Sequence, residues 1–472
     1  MASDPFFLFT RCAVAAIAVT AALAQSGSLF ERIGERLTVN ALKADVSFLA
    51  SDALEGRGTP SRGLDIAAEY IAAEFRRAGL EPAGDDGYFQ TAPFESVTPG
   101  AEGAAFTLEV GGRTLKAPAM SVRAHAALDL SHAAAIKVAA PDSAPPPEQV
   151  KGKVLLVVSS RRVARIPADS QAALVVMLGG AEPRLREASA ATPPMLTVTD
   201  PEIRAAVAGM PVGPVEATIS AHIPAPTVTP VKLRNVAGVL PGADPVLKDT
   251  YVVLTAHYDH LGIRGTGEGD RIYNGANDDA SGTASLIEIA NAFGGLAARP
   301  RRSILFLALF GEELGDLGSR YYARHPIVPL AKTIADLNLE QLGRTDETGE
   351  GEKLGQFNLT GFDLTNLAAI LRPYGKQAGV NVVDDKARSD AFFERSDNAA
   401  FAVAGVPSTT LSVTYVFGDY HQPGDQWPKL NYENMARVDR AIALALYGLA
   451  DSGEEPRWNA ENPKTETYRK AR

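Results

Sequence analysis

In the second half of the chain, acidic and histidine residues stand directly behind apolar runs, and that placement limits the fold more than any other feature. From Asn235 onward, strand-like runs at 236–240, 251–255, 303–310, 332–339 and 406–412 alternate with helix-periodic runs at 283–293, 364–371 and 433–449. Alternation of the two periods predicts an α/β sheet. Open sheets of this kind bind ligands in the crevice outside the carboxyl ends of their strands, and the chemistry-bearing residues fall there. In the last helix, Met435, Val438, Ile442, Ala445, Leu446 and Leu449 share one face. An earlier helix is predicted over 63–78, with Leu64, Ala67, Ile71 and Phe75 at helical spacing and Gly79 as its stop.

Residues 95–230 have another texture. Short strand-like runs at 106–110, 154–158 and 174–177 are punctuated by Pro145-Pro146-Pro147 and Gly179-Gly180. His125, His132 and His222 have no carboxylate at a chemically suggestive spacing, so this stretch is expected to be a separate, mostly β accessory domain. The tail from Glu454 is polar, carries Pro456 and Pro463, and is expected to lie loose on the surface. At the other end, Arg11 precedes an apolar run from Cys12 to Leu23 that is too short to span a bilayer and closes on Ala22-Leu23-Ala24. This reads as a secretory signal peptide, 1–24. Its removal leaves 472 − 24 = 448 residues and takes away Cys12, the single cysteine, so neither disulfide nor thiolate chemistry remains.

Composition closes off other classes. Lys and Arg total 46 against 56 Asp and Glu, a net charge of −10, which argues against a nucleic-acid partner because phosphate binding needs a dense cationic face. After signal removal no run reaches the roughly 18 apolar residues of a membrane span. The expected location is secreted or periplasmic.

Four clusters carry the chemistry. On extended backbone His257 and Asp259 share a face, and a metal-binding imidazole commonly gives its other N–H to such a carboxylate. His260 is left as a supporting or structural residue. In Asn274-Gly275-Ala276-Asn277-Asp278-Asp279-Ala280-Ser281-Gly282, a loop opening into a helix, Asp279 or Ser281 suffices for capping, which leaves Asp278 to bridge two cations. Glu312 and Glu313 follow a buried strand; neighbours diverge, so one can bind metal while the other faces a water as general base. Glu340 again follows a strand, and His421 lies far downstream. Together His257, Asp278, Glu313, Glu340 and His421 make two imidazoles and three carboxylates, a set suited to a pair of Zn²⁺ ions ~3.5–4 Å apart.

The pattern resembles the M28 family of zinc peptidases, which holds aminopeptidases and glutamate carboxypeptidase-like enzymes. The matching text is His257-x-Asp259, Asn277-Asp278-Asp279-Ala280-Ser281-Gly282, Gly311-Glu312-Glu313, Asn338-Leu339-Glu340, Arg395-Ser396-Asp397-Asn398 and Tyr420-His421. Leu54-Glu55-Gly56-Arg57-Gly58 resembles the catalytic-domain start of the branch that carries an inserted protease-associated (PA) domain. The resemblance implies a mixed twisted sheet flanked by helices, of zinc-exopeptidase type, with a mostly β insert. The domain plan is then 1–24 signal peptide, 25–94 first part of the catalytic domain, 95–230 PA-like insert, 231–453 main catalytic part and 454–472 polar tail. It implies two Zn²⁺ per chain, one on His257, Asp278 and Glu340, the other on Asp278, Glu313 and His421. Glu312 would be the general acid/base, Asp259 the support of His257, and Tyr420 a donor to the developing oxyanion. Many members carry aspartate at the position of Glu340 and histidine at that of Asn398; the longer Glu340 bears on metal spacing and on contacts to the substrate amine.

The expected function is an exported di-zinc exopeptidase acting on peptides, foremost an aminopeptidase. A carboxypeptidase releasing a C-terminal acidic residue is the alternative, with Arg388 or Arg395 available to grip a carboxylate. A glutaminyl-cyclase-like acyl transferase and a non-catalytic binding module on the same fold are weaker ones. The paired Asp278-Asp279 argues against the first, and the complete ligand set against the second.

Overall fold

The structure, a computed structural model, describes residues 29, 31–98, 103–118, 120–124, 126–138, 146–158, 171–178, 186–187 and 193–471. The segment 1–24 and His125 lie outside the described residues. The chain divides into two compact units, Met1–Ala92 with Leu233–Arg472, and Pro93–Lys232.

The first unit carries helices α1 (Val39–Leu49), α2 (Arg62–Arg77), α3 (Ser281–Gly294), α4 (Leu317–Arg324), α5 (Leu367–Gln377) and α6 (Tyr432–Asp451). Its strands are β1 (Phe89–Thr98) and β2 (Thr227–Leu240), which run on past the unit's boundaries, then β3 (Tyr251–His257), β4 (Ser303–Leu309), β5 (Thr333–Leu339), β6 (Gln356–Leu359), β7 (Asn381–Val383) and β8 (Ser408–Ser412). They form a mixed sheet in the order β7-β6-β8-β5-β3-β4-β2-β1. Its centre is parallel (β8-β5-β3-β4), while β2 joins β4 and β6 joins β8 antiparallel. Every residue of β4 and β5 is buried, as expected for parallel strands covered on both faces; β4 is accordingly a nearly continuous apolar run, while β5 also buries Asp336 and Asn338.

Helix α2 buries Leu64, Ala67, Ile71 and Phe75, the stripe its spacing predicts. The Ser61 Oγ starts it by accepting from the Leu64 N–H at 3.1 Å. Helix α6 likewise buries Met435, Val438, Ile442, Ala445, Leu446 and Leu449. Full burial of side chains such as Phe75 or Ile442 contributes about 1.5–3 kcal/mol each.

The tail is not loose. Trp458 stacks on Tyr468 with ring centroids 4.9 Å apart, both are buried, and Phe393 packs edge-on against the pair. The Trp458 indole N–H donates to the Gly405 carbonyl at 2.9 Å, and the Tyr468 hydroxyl to Glu394 at 2.6 Å. Two aromatic anchors outweigh the polar composition around them.

In the second unit, eight strands form one sheet in the order Arg113–Lys116, Ala105–Val110, Gly213–Ile223, Leu128–Val138, Val154–Val158, Leu174–Leu178, Met195–Val198 and Met120–Arg123. Phe106, Leu108, Leu156, Val176, Leu196 and Ile219 are core residues of this unit. Two of its histidines do face acids. His222 sits in register with Asp129 on the neighbouring strand, Nδ1 to Oδ1 2.5 Å, and His132 Nδ1 lies 3.0 Å from Glu109 Oε2. Strand pairing creates these contacts, which sequence spacing does not display.

Candidate metal centre

Strand register brings the ends of β3, β4 and β5 level. His257, the last residue of β3, pairs with Leu309 at the end of β4, and Thr255 pairs with Asn338 near the end of β5. Glu312, Glu313 and Glu340 therefore leave the sheet at the same edge as His257, at the carboxyl ends of parallel strands. Gly311, at φ 69°, turns the chain out of β4. The two glutamates then separate: Glu312 Oε2 comes within 4.0 Å of His257 Nε2, while Glu313 Oε1 lies 3.3 Å from His421 Nε2 and 2.7 Å from His260 Nδ1.

Asp278 enters from the loop ahead of α3. Gly275 holds φ 57° there, and a Cβ on it would meet the Asp278 carbonyl oxygen at 2.2 Å, so only glycine suits the turn. Asp425 accepts from the Asn277 and Asp278 N–H groups at 3.0 and 3.1 Å. Asp279 accepts from the N–H groups of Gly282 and Gln341, which is the capping role its position predicts. The Asp278 side chain is left facing two imidazoles, with Oδ1 3.3 Å from His257 Nε2 and Oδ2 3.2 Å from His421 Nε2.

The structure thus gathers His257, Asp278, Glu312, Glu313, Glu340 and His421. The donor atoms of His257, Asp278 and Glu340 lie within 4.8 Å of one another, as do those of His260, Asp278 and Glu313. His257 Nε2 and Glu313 Oε1 are buried and have no hydrogen-bond partner among the described residues. Buried polar atoms are normally satisfied, so an unpartnered atom in each of these two groups fits a bound cation. The donors are carboxylate oxygens and imidazole nitrogens, a set that suits Zn²⁺.

Asp259 differs in detail from the expectation. Its carboxylate is 3.6 Å from His257 Nδ1, beyond hydrogen-bond reach, and the imidazole contacts the Asp259 carbonyl oxygen at 3.3 Å. The carboxylate accepts instead from the Glu312 N–H at 3.1 Å and the Thr59 hydroxyl at 3.2 Å. Tyr420 stacks on the His421 ring, centroids 3.9 Å apart. It lines a cleft with Asp278, Glu312, Glu340, Thr360, Phe392, Arg395 and Tyr415.

Burial and charge set the protonation tendencies. Burial lifts Glu312 well above the usual carboxylate range, with Glu313 and Glu340 adding to the lift against His257. Burial would also lift Asp278, but its hydrogen-bonding imidazoles, His257 and His421, hold it below its ordinary value. Glu313 is held down at about 2: burial and Asp278 oppose the shift, and His260 and His421 prevail. His421 rises to about 10, because Asp278 and Glu313 overcome its burial.

Arg57 and Asp425 were not legible as site residues. Arg57 is fully buried, and burial lowers it to about 10 against the pull of Asp259, Asp279, Asp425 and Asp278. Its guanidinium donates to the carbonyls of Tyr258 at 2.8 Å, Asn274 at 2.8 Å, Gly275 at 3.0 Å, and Leu49. It therefore clamps the chain just before both Asp259 and Asp278. Arg57 stands in a short stretch with no periodic signal of its own, and Asp425 is a lone acid in a Pro-Gly loop.

A probable zinc metalloprotease of Pyricularia oryzae is 31% identical over 266 residues, covering 48% of this chain and 52% of its own. Aminopeptidase YwaD of Bacillus subtilis is 24% identical over 216 residues, covering 44% of this chain and 42% of its own. The chain spans about half the length of the curated relatives it matches. An aminopeptidase from Aneurinibacillus sp. strain AM-1 has the same fold, with a TM-score of 0.57 at 18% identity, covering 90% of this chain and 97% of its own. Residues 235–446 match the description Peptidase family M28, and this segment contains all five residues of the expected ligand set.

Proposed function

We propose that the chain is an exported metallo-exopeptidase with two zinc ions, and among exopeptidases an aminopeptidase. One observation carries the two-ion reading: the oxygens of Asp278 face different imidazoles, Oδ1 toward His257 and Oδ2 toward His421, at nearly equal distances of 3.3 and 3.2 Å. A carboxylate with one oxygen turned to each imidazole would let Asp278 serve two ions at once. On this reading His257, Asp278 and Glu340 hold one ion and Asp278, Glu313 and His421 the other.

When bound, such an ion pair polarises a carbonyl and lowers the pKa of water from ~15.7 towards ~7. The protein's own part is proton transfer and orientation. Glu312 takes the proton of the attacking water as its oxygen bonds to the peptide carbonyl carbon. The C–N bond then breaks, and Glu312 delivers that proton to the leaving nitrogen. Asp259 steadies Glu312 by accepting from its N–H. The Tyr420 hydroxyl, kept protonated by burial and the surrounding carboxylates, is the donor for charge developing on the carbonyl oxygen. Export rests on the text of residues 1–24, and Pro93–Lys232 is assigned as a PA-like insert.

The carboxypeptidase alternative is favoured by one feature. Arg395 lines the cleft, and its guanidinium lies 4.3 Å from the Phe392 ring with no ion pair among the described residues. Arg388 is already engaged by Glu347, Asp385 and Glu350. Zinc-loaded protein is to be given one peptide in free and N-acetylated forms, with a chelator control. The aminopeptidase reading expects chelator-sensitive loss of the first residue from the free form alone. C-terminal trimming of the acetylated peptide would replace it with the carboxypeptidase, with Arg395 as the grip.

A further inference from the structure

We propose that His260 is a ligand of the second cation, completing with Asp278, Glu313 and His421 a four-residue cradle, whereas the first cation has only His257, Asp278 and Glu340. This rests on the two-ion reading above.

The His260 ring is buried, and among the described residues neither of its nitrogens has a hydrogen-bond partner. A neutral imidazole left so in a protein interior carries an uncompensated desolvation cost. Nδ1 nevertheless lies 2.7 Å from Glu313 Oε1, and both atoms remain unpartnered because the contact lacks hydrogen-bond geometry. Both residues belong, with Asp278, to a group whose donor atoms lie within 4.8 Å of one another, so a cation between them would take both as ligands. His257 Nε2 has the same signature, buried, unpartnered and 3.3 Å from a carboxylate oxygen.

Packing fixes the ring without help from hydrogen bonds. A Cβ on Gly275 would meet the His260 ring at 2.4 Å, so the glycine admits the imidazole against the Asp278 loop. The His260 backbone N–H donates to the Arg57 carbonyl at 3.3 Å, and the Arg57 guanidinium donates to the Gly275 carbonyl at 3.0 Å. The His421 ring meets His260 edge-on, centroids 5.7 Å apart, and so approaches the same Glu313 oxygen from another direction. A fourth protein donor makes the second site the tighter of two unequal sites.

The test is Co²⁺ titration of the chelator-stripped full chain, following metal bound per chain and the visible absorption. Wild type is expected to take up two ions with separated affinities. His260→Ala should weaken one of them at least ~10-fold, change the visible band of that ion, and regain it when free imidazole is added. Two ions bound by His260→Ala with wild-type affinities and spectrum would overturn the proposal and leave the two-ion reading standing. A wild-type chain binding fewer than two ions would instead overturn that reading. If His260→Ala fails to fold by circular dichroism, the same titration of His260→Gln decides.

Discussion

Asp278 and Glu312 stand side by side in the same carboxylate cluster, and their surroundings divide the work between them. Asp278 faces His257 and His421 and belongs to both proposed ions; Glu312 approaches only the His257 ring, at 4.0 Å. Glu312→Gln keeps the shape and loses the proton acceptor. It is expected to retain wild-type zinc, measured by elemental analysis, while turnover falls ~10²–10⁴-fold. Asp278→Ala should lose metal at both positions together, and an unchanged load would remove it as the bridge. A second prediction concerns a carboxyl away from the centre. Asp439 on α6 is fully buried, accepts from the Ser285 hydroxyl at 2.9 Å through one oxygen and leaves the other unpartnered. Burial lifts its pKa to about 8, with Glu288 adding to the lift. A carboxyl raised on folding contributes its stability below the unfolded value near 4 and loses it as pH climbs towards 8. At ~1.36 kcal/mol per unit, roughly 4 kcal/mol would be withdrawn between pH 4 and pH 7. Urea unfolding of metal-free protein should therefore fall less steeply with pH in Asp439→Asn than in wild type, and equal slopes would refute the assignment.

At the level of elements, legibility followed length and burial. The largely apolar run of β4, the buried run of β5 that leads into Glu340, and the periodic helices α2 and α6 were readable because each has the length and pattern of its element. Strands β6 and β7 were not, since four and three residues are too few to establish a period. Helix α1 was also missed; Leu42, Val46 and Leu49 give it a buried face, but alanines, lysine and aspartate dilute the stripe. In the centre, His257, Asp278, Glu313 and Glu340 were recognisable from their place at strand and loop ends. His260 and Asp425 act through neighbours that only the folded chain supplies. The tail is the plainest error of the sequence reading, since its polar composition concealed two anchoring aromatics. Trp458 closes a buried cluster with Phe393 and Tyr468, so Trp458→Ala should cost about 3–5 kcal/mol, read as a lower denaturation midpoint. Glu454→Ala, on the exposed approach to the same segment, should leave the midpoint within about 0.5 kcal/mol of wild type.

At the scale of the whole chain, the unit Pro93–Lys232 interrupts a sheet whose strands on either side are neighbours. β1 lies beside β2, the Ala237 N–H donates to the Tyr88 carbonyl at 2.7 Å, and the Asn235 amide donates to Gln90 at 2.9 Å. Chain entering and leaving the inserted unit is thus held together by the first unit itself, the condition under which insertions and excisions are tolerated. The second unit has a sheet and a buried core of its own, so its residues are not needed to fill the interior of the first. All residues assigned to the two ions lie within Leu233–Arg472. Replacing 93–232 by a short Gly/Ser linker is therefore expected to leave a chain that unfolds in one cooperative transition and binds the same number of Co²⁺ ions. Retained metal with a changed preference among peptides would assign the inserted unit to substrate selection. Loss of the ions from a folded excision product would show that the centre depends on the insert, contrary to the ligand set drawn here.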